Sequence, residues 1–179
     1  PEAGTTRFRA PYKPVALGTL AGRNIGNHYK AKRVTPMHDW HIDHGAEMIE
    51  AGIWYRPRVY KKPGETLEEA YVREATAVRN SVGIVDVTSL GKIDVQGPDA
   101  AEFLNRVYVN PFLKVPVGKA RYGVMLREDG YLSDDGTSWR LSENQFLMTT
   151  TTANAASVLS ELERLLTLVW PNLKVHVSS

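Results

Sequence analysis

Two adjacent carboxylates, Asp134 and Asp135, are the residues of this sequence best suited to acid–base chemistry. Paired carboxylates often divide the roles of general acid and general base. Strand-forming residues surround them, and neighbouring side chains of a strand point to opposite faces, so the two groups do not share one proton. We therefore expect at most one of them to face a cavity. The alternative is that the stretch SDDG is a solvated strand end entering a turn.

Hydroxyl groups accompany this pair on neighbouring predicted strands. Tyr122 lies on the partner strand of the same hairpin, and a run of threonines follows at Thr149 to Thr152. A tyrosine that faces a cavity can stack on a flat heterocycle and offer its hydroxyl, and threonine hydroxyls can bind a ligand. A half-buried tyrosine and β-branched threonines are also ordinary strand residues, which is the simpler explanation.

Three of the five histidines lie between residues 38 and 44, at spacings of three, with aspartates between them. This spacing would align their side chains on one face of a helix, as metal ligands. Zinc sites, however, usually combine two close ligands with others far away in sequence. The remaining histidines are His28 and His176, and the sequence has no cysteine. We therefore predict no metal site.

Composition narrows the class of protein without identifying it. The 179 residues are 42% hydrophobic and 23% charged, with a net charge of +2, which is ordinary for a globular domain with a core. Neither a nucleic-acid nor a membrane partner is indicated by this charge, and no apolar stretch approaches the roughly 20 residues needed to span a bilayer. The absence of cysteine excludes disulfides and a cysteine nucleophile and is compatible with the cytoplasm.

Residues 1–34 differ from the rest of the chain. They are basic, lack any hydrophobic period and are interrupted by prolines and glycines, so we predict an irregular strap laid over a larger body. The alternative is an arm that binds nucleic acid. The stretch GTLAGRNIG does not match the G-x-G-x-x-G fingerprint of dinucleotide sites. Because the chain opens on Pro1 and stops just after a predicted strand, we expect it to be a piece of a longer protein.

The first regular element after the histidine stretch is a helix over residues 66–83. Thr66 and Glu69 have the spacing of a capping box, and Gly83 stands where a helix commonly stops. An apolar stripe at helical spacing predicts one buried face: Leu67, Tyr71, Ala75, Val78 and Val82.

From residue 84 onward the predicted order is β-α-β-β-(β)-α-β. The strands are IVDV and KIDVQG, a hairpin around Asp129-Gly130, QFLMTTTT and a closing LKVHV. Apolar residues at helical spacing mark a short helix that ends near Val107 and a longer one that runs to Val169 and is stopped by Pro171. This order predicts an α+β fold, a ferredoxin-like split βαβ antiparallel sheet with helices on one face. We expect the 66–83 helix to pack alongside this sheet.

Three ordered motifs resemble the glycine-cleavage T-protein family. The opening TPMHDWHIDHGAEMIEAGIWYRP matches the family at eight positions: Thr35, Pro36, His41, Gly45, Ala46, Met48, Trp54 and Pro57. EATAVRNSVGIVDVTSLGKIDVQGPDA resembles the next signature, and GKARYGVMLREDGYLSDDG the hairpin with a folate-adjacent aspartate. The resemblance implies that residues 35–179 are the N-terminal, incomplete part of a folate-binding domain.

A narrower resemblance, to the α-subunit family of heterotetrameric sarcosine oxidases, runs along the whole chain. It includes PVALGTLAGR, GPDAAEFLNRVY and FLMTTTT. It implies an oxidoreductase acting on the CH–NH group with oxygen as acceptor. The module would pass the one-carbon unit of oxidised sarcosine to tetrahydrofolate, giving 5,10-methylenetetrahydrofolate and glycine. FAD, FMN and NAD would lie in other parts of the complex, and the partners would be its other subunits.

The resemblance also implies site residues. The family aspartate is the second of its pair and corresponds to Asp135, the expected catalytic residue. The family tyrosine corresponds to Tyr122, a folate contact; Thr151 replaces a family asparagine near the pterin, and Leu90 falls where a hydrophobic residue lies near the ligand. Further folate contacts of the family lie beyond Ser179, so we expect the isolated piece to bind folate weakly or not at all and to be inactive.

Other functions remain compatible with these motifs. Dimethylglycine oxidase and related folate-dependent demethylases share them, so the amine is open. A second class of function is a non-catalytic ferredoxin-like module that serves assembly and uses the basic strap as its contact surface.

Overall fold

The computed structural model describes residues 33–179, so most of the predicted basic strap lies outside the described residues. Eight strands, four α-helices and one π-helical turn are formed within this range. In chain order they are β1 (Arg33–Val34), α1 (His38–Asp43), β2 (Ala46–Ala51), β3 (Trp54–Tyr60), α2 (Leu67–Asn80), β4 (Gly91–Gln96), α3 (Ala100–Val107), β5 (Ala120–Leu126), β6 (Leu132–Ser142), β7 (Gln145–Thr150), α4 (Ala155–Arg164) and β8 (His176–Ser178).

The larger of two sheets has five strands in the order β5-β6-β7-β4-β8, all antiparallel to their neighbours. Its inner face carries Ile93, Val95 and Met148, which are fully buried. The apolar sides of α3 and α4 belong to the same buried cluster, so both helices cover this one face. The predicted α+β fold with a split βαβ antiparallel sheet and helices on one face is confirmed.

The smaller sheet has three strands in the order β1-β3-β2. β2 and β3 form an antiparallel hairpin, and β1 pairs with β3 in parallel. The last two residues of the predicted strap are therefore a strand and not irregular. α1 precedes β2 and contains the buried His41.

Helix α2 begins with the predicted capping box, in which Thr66 accepts from the amide of Glu69 and the Glu69 carboxylate accepts from the amide of Thr66. The predicted buried stripe is wrong, because Tyr71, Val78 and Val82 are exposed and only Ala70 of the helix is fully buried. Hydrogen bonds of polar side chains, and not a buried apolar face, hold α2 against the rest of the protein.

The polar attachment of α2 goes to β3 of the smaller sheet and not to the five-stranded sheet. A guanidinium nitrogen of Arg73 donates to the carbonyl of Tyr60 over 2.7 Å, and the Tyr60 amide donates to the carboxylate of Glu74 over 2.8 Å. The expectation that this helix packs alongside the five-stranded sheet is therefore wrong.

The strand predicted at IVDV is also wrong. Residues 84–87 form no ladder, and Ile84 is 95% exposed. The Asp86 carboxylate accepts from the Thr88 amide over 2.9 Å, and the Leu90 amide closes a turn onto the Val87 carbonyl. Branched apolar residues favour a strand only where a partner strand and a packing face exist, and this segment has neither among the described residues.

The last predicted helix continues to Val169 but changes its hydrogen bonding. α4 ends at Arg164, and Leu165–Val169 form a π-helical turn whose final bond runs from the Trp170 amide to the Leu165 carbonyl over 2.7 Å. Pro171 follows directly, which explains the stop.

Candidate functional site

A cavity lies where the backbone ladder between β6 and β7 ends, on the sheet face opposite to α3 and α4. The regular ladder ends at the pair Ser138–Met148. Beyond it, the Thr149 hydroxyl accepts from the Thr137 amide over 3.0 Å and donates to the Thr137 carbonyl over 3.1 Å. A side chain thus replaces backbone pairing at this point. The cavity beside it has a volume of about 380 Å³.

The four residues predicted for a ligand site all line this cavity: Leu90, Tyr122, Asp135 and Thr151. They come from the loop before β4, from β5, from β6 and from the end of β7. The other threonines of the TTTT run line it as well. Sequence-distant side chains therefore converge at one end of the larger sheet.

The two aspartates are separated as strand alternation predicts. Asp134 points inward and is buried, and its carboxylate accepts from the Thr151 amide over 3.2 Å and from the Asn154 side-chain amide over 3.1 Å. Asp135 points to the outer face and lines the cavity. Asp134 thus ties the start of α4 to β6, and Asp135 is the carboxylate available to a ligand.

Tyr122 and Asp135 form a hydrogen-bonded pair at the cavity. The Tyr122 hydroxyl donates to Oδ2 of Asp135 over 2.7 Å. This bond and the negative charge of the carboxylate raise the pKa of Tyr122, so the phenol stays protonated at neutral pH. Tyr122 is 54% exposed, so its side chain is accessible to a flat ligand.

Sequence reasoning missed Arg56 and Thr137, which also line the cavity. Arg56 lies on β3 of the smaller sheet, and its Nη1 is 3.4 Å from the Thr152 hydroxyl. Its position depends on how the two sheets meet, and no local pattern in the sequence indicates that. Thr137 could have been found by continuing the alternation from Asp135.

A second cavity, of about 850 Å³, lies between the β5–β6 hairpin and the two sheet-covering helices. Its three arginines are each bound to a neighbouring carboxylate: Arg106 to Glu102, Arg127 to Asp129, and Arg164 to Glu161. Because these charges are already compensated, the cleft offers little to a charged ligand.

The histidines of residues 38–44 do not converge. The ring of His41 is buried, whereas His44 is exposed and stacks on Trp40 at a centroid distance of 3.9 Å. Within residues 33–179 no group of three histidine, aspartate or glutamate side chains has the arrangement of a metal site.

His41 instead connects α1, on which it lies, with β3 and with the loop that precedes β4. Its Nε2 lies 3.0 Å from Oδ2 of Asp86 and its Nδ1 lies 2.6 Å from the Tyr60 hydroxyl. Because a carboxylate only accepts, Nε2 carries the hydrogen, and in the neutral ring Nδ1 accepts from Tyr60. The contact fixes the loop that places Leu90 at the cavity, and Ser89 of that loop contacts the Thr152 hydroxyl over 3.3 Å.

This buried network predicts a pH dependence of stability. Burial acts to raise the pKa of Asp86, but hydrogen bonds from Thr35, Thr88 and His41 outweigh it and hold the pKa below its ordinary value. The corresponding stabilisation is present above the unfolded pKa of about 3.9 and is lost as the pH falls through the folded pKa. We expect Asp86→Asn to lower the free energy of unfolding at pH 7 by about 2–3 kcal/mol and to flatten its decline below about pH 4.

Urea unfolding between pH 2 and pH 7 measures this effect. Asp39→Asn, an exposed acid of α1, is the matched control and should follow the wild-type curve. An Asp86→Asn curve that runs parallel to the wild-type curve would exclude Asp86 as the source of the acid sensitivity.

No helix within residues 33–179 is long and apolar enough to cross a membrane. The fold is similar to that of the glycine cleavage system aminomethyltransferase T from Bartonella henselae, with a TM-score of 0.64. The two sequences are 23% identical, and the match covers 81% of this chain and 37% of that one.

Sequence comparison identifies the family. Residues 37–179 match the GCVT N-terminal domain, and the chain belongs to that family. Within it, the chain is similar to the sarcosine oxidase subunit alpha of Rhizobium meliloti (strain 1021), with 54% identity over 99% of this chain and 18% of the relative. The corresponding subunit of Corynebacterium sp. (strain U-96) is 51% identical over the same shares.

A more distant relative is the aminomethyltransferase of Thermotoga neapolitana, 36% identical over 81% of this chain and 35% of that protein. The predicted resemblance to sarcosine oxidase α subunits is confirmed, and the chain spans about a fifth of their length.

Proposed function

We propose that residues 35–179 form part of the tetrahydrofolate-binding module of a sarcosine oxidase. In this function the module receives the one-carbon unit of the oxidised amine, and 5,10-methylenetetrahydrofolate and glycine are the products. The convergence of Tyr122, Asp135, Leu90 and Thr151 on one cavity supports the proposal most strongly. FAD, FMN and NAD belong to other parts of the assembly, and the other subunits are the partners.

The cavity fits part of a folate. Its volume of about 380 Å³ is at the small end of ligand pockets, so it suits the flat pterin and not the whole molecule. Tyr122 offers an accessible aromatic ring, and the hydroxyl of Thr151 offers a donor and acceptors for ring nitrogens and amide groups. The remaining contacts of a folate are expected from residues outside this chain.

Asp135 is the proposed catalytic residue. Bound tetrahydrofolate supplies two secondary amine nitrogens that take up the methylene carbon. The carbon–nitrogen bond of the amino-acid iminium breaks, and the two amine protons pass to the departing nitrogen, which leaves as glycine. The Asp135 carboxylate stabilises the positive charge of the iminium and holds a proton in transit, while its bond to Tyr122 fixes its orientation.

A change at Tyr122 tests folate binding in the intact enzyme. Tyr122→Phe removes the hydroxyl that orients Asp135 and keeps the ring, so we expect the dissociation constant of tetrahydrofolate to rise about tenfold with little change in stability. Fluorescence titration measures it. Tyr131→Phe is the matched control, because that ring is 70% exposed on the hairpin outside the cavity. Equal affinities for the wild-type protein and both variants would count against the proposed site.

A second class of function is an assembly module without chemistry. The exposed apolar residues Val82, Ile84 and Val85 favour it, because such a surface suits a protein contact. Under that function, the dissociation constant of tetrahydrofolate would not depend on Tyr122. A dimethylglycine oxidase or another folate demethylase would retain the folate site and differ only in the amine.

A further inference from the structure

The cavity contains one cation and one anion among its described lining residues, Arg56 and Asp135. The other lining residues are uncharged, four of them the threonines of the TTTT run. A cavity that presents opposite charges on separate structural elements is suited to a ligand that carries both charges itself.

Close packing of the two sheets brings Arg56 to the cavity. The β2–β3 turn contains Gly52 at φ +60°, and a Cβ there would come within 3.1 Å of the Ala153 Cα. Only glycine allows both the left-handed backbone and this approach. The hairpin therefore lies against the segment after β7, and Arg56, four residues after the turn glycine, faces the cavity wall formed by that segment.

The guanidinium of Arg56 has one hydrogen-bond partner among the described residues and is not neutralised by any of them. This partner is the Thr152 hydroxyl, 3.4 Å from Nη1, and Thr152 is in turn hydrogen-bonded to Ser89. Within residues 33–179, no carboxylate oxygen lies within 4.0 Å of it, unlike the arginines of the larger cleft. A half-buried guanidinium has five donors, and a hydroxyl uses one of them.

We propose that Arg56 binds a ligand carboxylate in this cavity, which Asp135 and Tyr122 also line. The inference rests on the proposed function and specifies its ligand. An α-amino-acid iminium carries a cationic nitrogen and a carboxylate a short distance apart. Asp135 faces the cationic nitrogen of the iminium. Arg56 binds its carboxylate through the two parallel hydrogen bonds that a guanidinium and a carboxylate favour. The same carboxylate chemistry is also present in the glutamyl tail of a folate.

Two pairs of probes separate these sources in the intact enzyme, using Arg56→Gln. The first pair is glycine and methylamine, tested as inhibitors of methylene transfer at saturating tetrahydrofolate. The second pair is tetrahydrofolate and tetrahydropteroate, which lacks the glutamyl carboxylates, compared by dissociation constant. Arg79→Gln, an exposed cation of α2, is the matched control.

If the amino acid supplies the carboxylate, glycine inhibition of transfer weakens at least about tenfold in Arg56→Gln, and methylamine inhibition does not change. If the folate tail supplies it, the affinity for tetrahydrofolate falls by that factor while tetrahydropteroate is unaffected. We expect the amino acid to supply the carboxylate. In Arg56→Lys, glycine inhibition should recover in part, because lysine keeps the positive charge but lacks the paired N–H donors of a guanidinium.

Unchanged constants for all four probes would overturn the assignment of Arg56 and leave the folate proposal standing. A wild-type enzyme that binds neither folate compound would overturn the proposed function, and the assignment with it. Unchanged circular dichroism and an unchanged urea-unfolding midpoint verify that the variants are folded.

Discussion

Asp135→Asn in the proposed sarcosine oxidase is expected to reduce 5,10-methylenetetrahydrofolate formation at least about 100-fold, while sarcosine oxidation continues and formaldehyde is released. The substitution preserves the size of the side chain and removes its negative charge. Asparagine can still accept from the Tyr122 hydroxyl, but it neither stabilises a cationic iminium nor holds a proton. Product analysis by chromatography, with oxygen uptake recorded in parallel, measures both activities at once.

Two neighbouring carboxylates serve as controls for this result. Glu128→Gln, on the exposed turn of the hairpin, should leave both activities unchanged. Asp134→Asn should lower stability, because its buried carboxylate accepts from Thr151 and Asn154. An Asp135→Asn enzyme with a wild-type ratio of methylenetetrahydrofolate to formaldehyde would favour the assembly function over the catalytic one.

Gly136→Ala is expected to lower the free energy of unfolding by at least about 3 kcal/mol. Gly136 lies between Asp135 and Thr137 on β6, and a Cβ there would come within 2.0 Å of the Thr149 carbonyl oxygen. The obstacle is backbone, so it cannot be relieved by a side-chain rotation. The methyl group would push β6 and β7 apart where the ladder already ends.

Urea unfolding followed by circular dichroism measures this loss, with Ser142→Ala at the exposed end of the same strand as the control. We expect Ser142→Ala to remain within about 0.5 kcal/mol of the wild-type protein. A Gly136→Ala protein of wild-type stability would mean that the two strands are not as close as the structure places them.

The larger sheet was predictable because its signals are local. Alternation placed Ile93 and Val95 on one buried face, and the turn at Asp129-Gly130 located the hairpin. Outside this sheet, the capping box located the start of α2 for the same reason. The separation of Asp134 from Asp135 follows from the same two-residue period.

The predictions for residues 84–87 and for the apolar stripe of α2 were wrong because both depend on neighbouring elements. Branched residues at 84–87 have strand propensity but no described strand to pair with, and the apolar stripe of α2 has no described surface that buries it. Strand propensity reflects the backbone conformation that the residues of a segment favour, whereas burial depends on the neighbouring elements against which the segment packs. For the same reason, no sequence pattern predicts that Arg56 and Asp135 line the same cavity, because the two residues belong to different sheets.

The histidine stretch illustrates how spacing can mislead. His38, His41 and His44 are spaced as ligands on one helix face, yet only His41 is fully buried, and it binds Asp86 and Tyr60. The short helix is fastened by one histidine to the loop that carries Leu90. The stretch therefore contributes to the cavity indirectly, because His41 positions the loop that carries Leu90.

A crystal structure of the intact enzyme with tetrahydrofolate bound tests the central claim most directly. We predict that a nitrogen of the reduced pterin lies within about 3.2 Å of the Asp135 carboxylate and that the Tyr122 ring lies against the pterin. Tetrahydrofolate bound elsewhere, for example in the cleft lined by Arg127 and Arg164, with the Asp135 cavity empty, would contradict the proposed site.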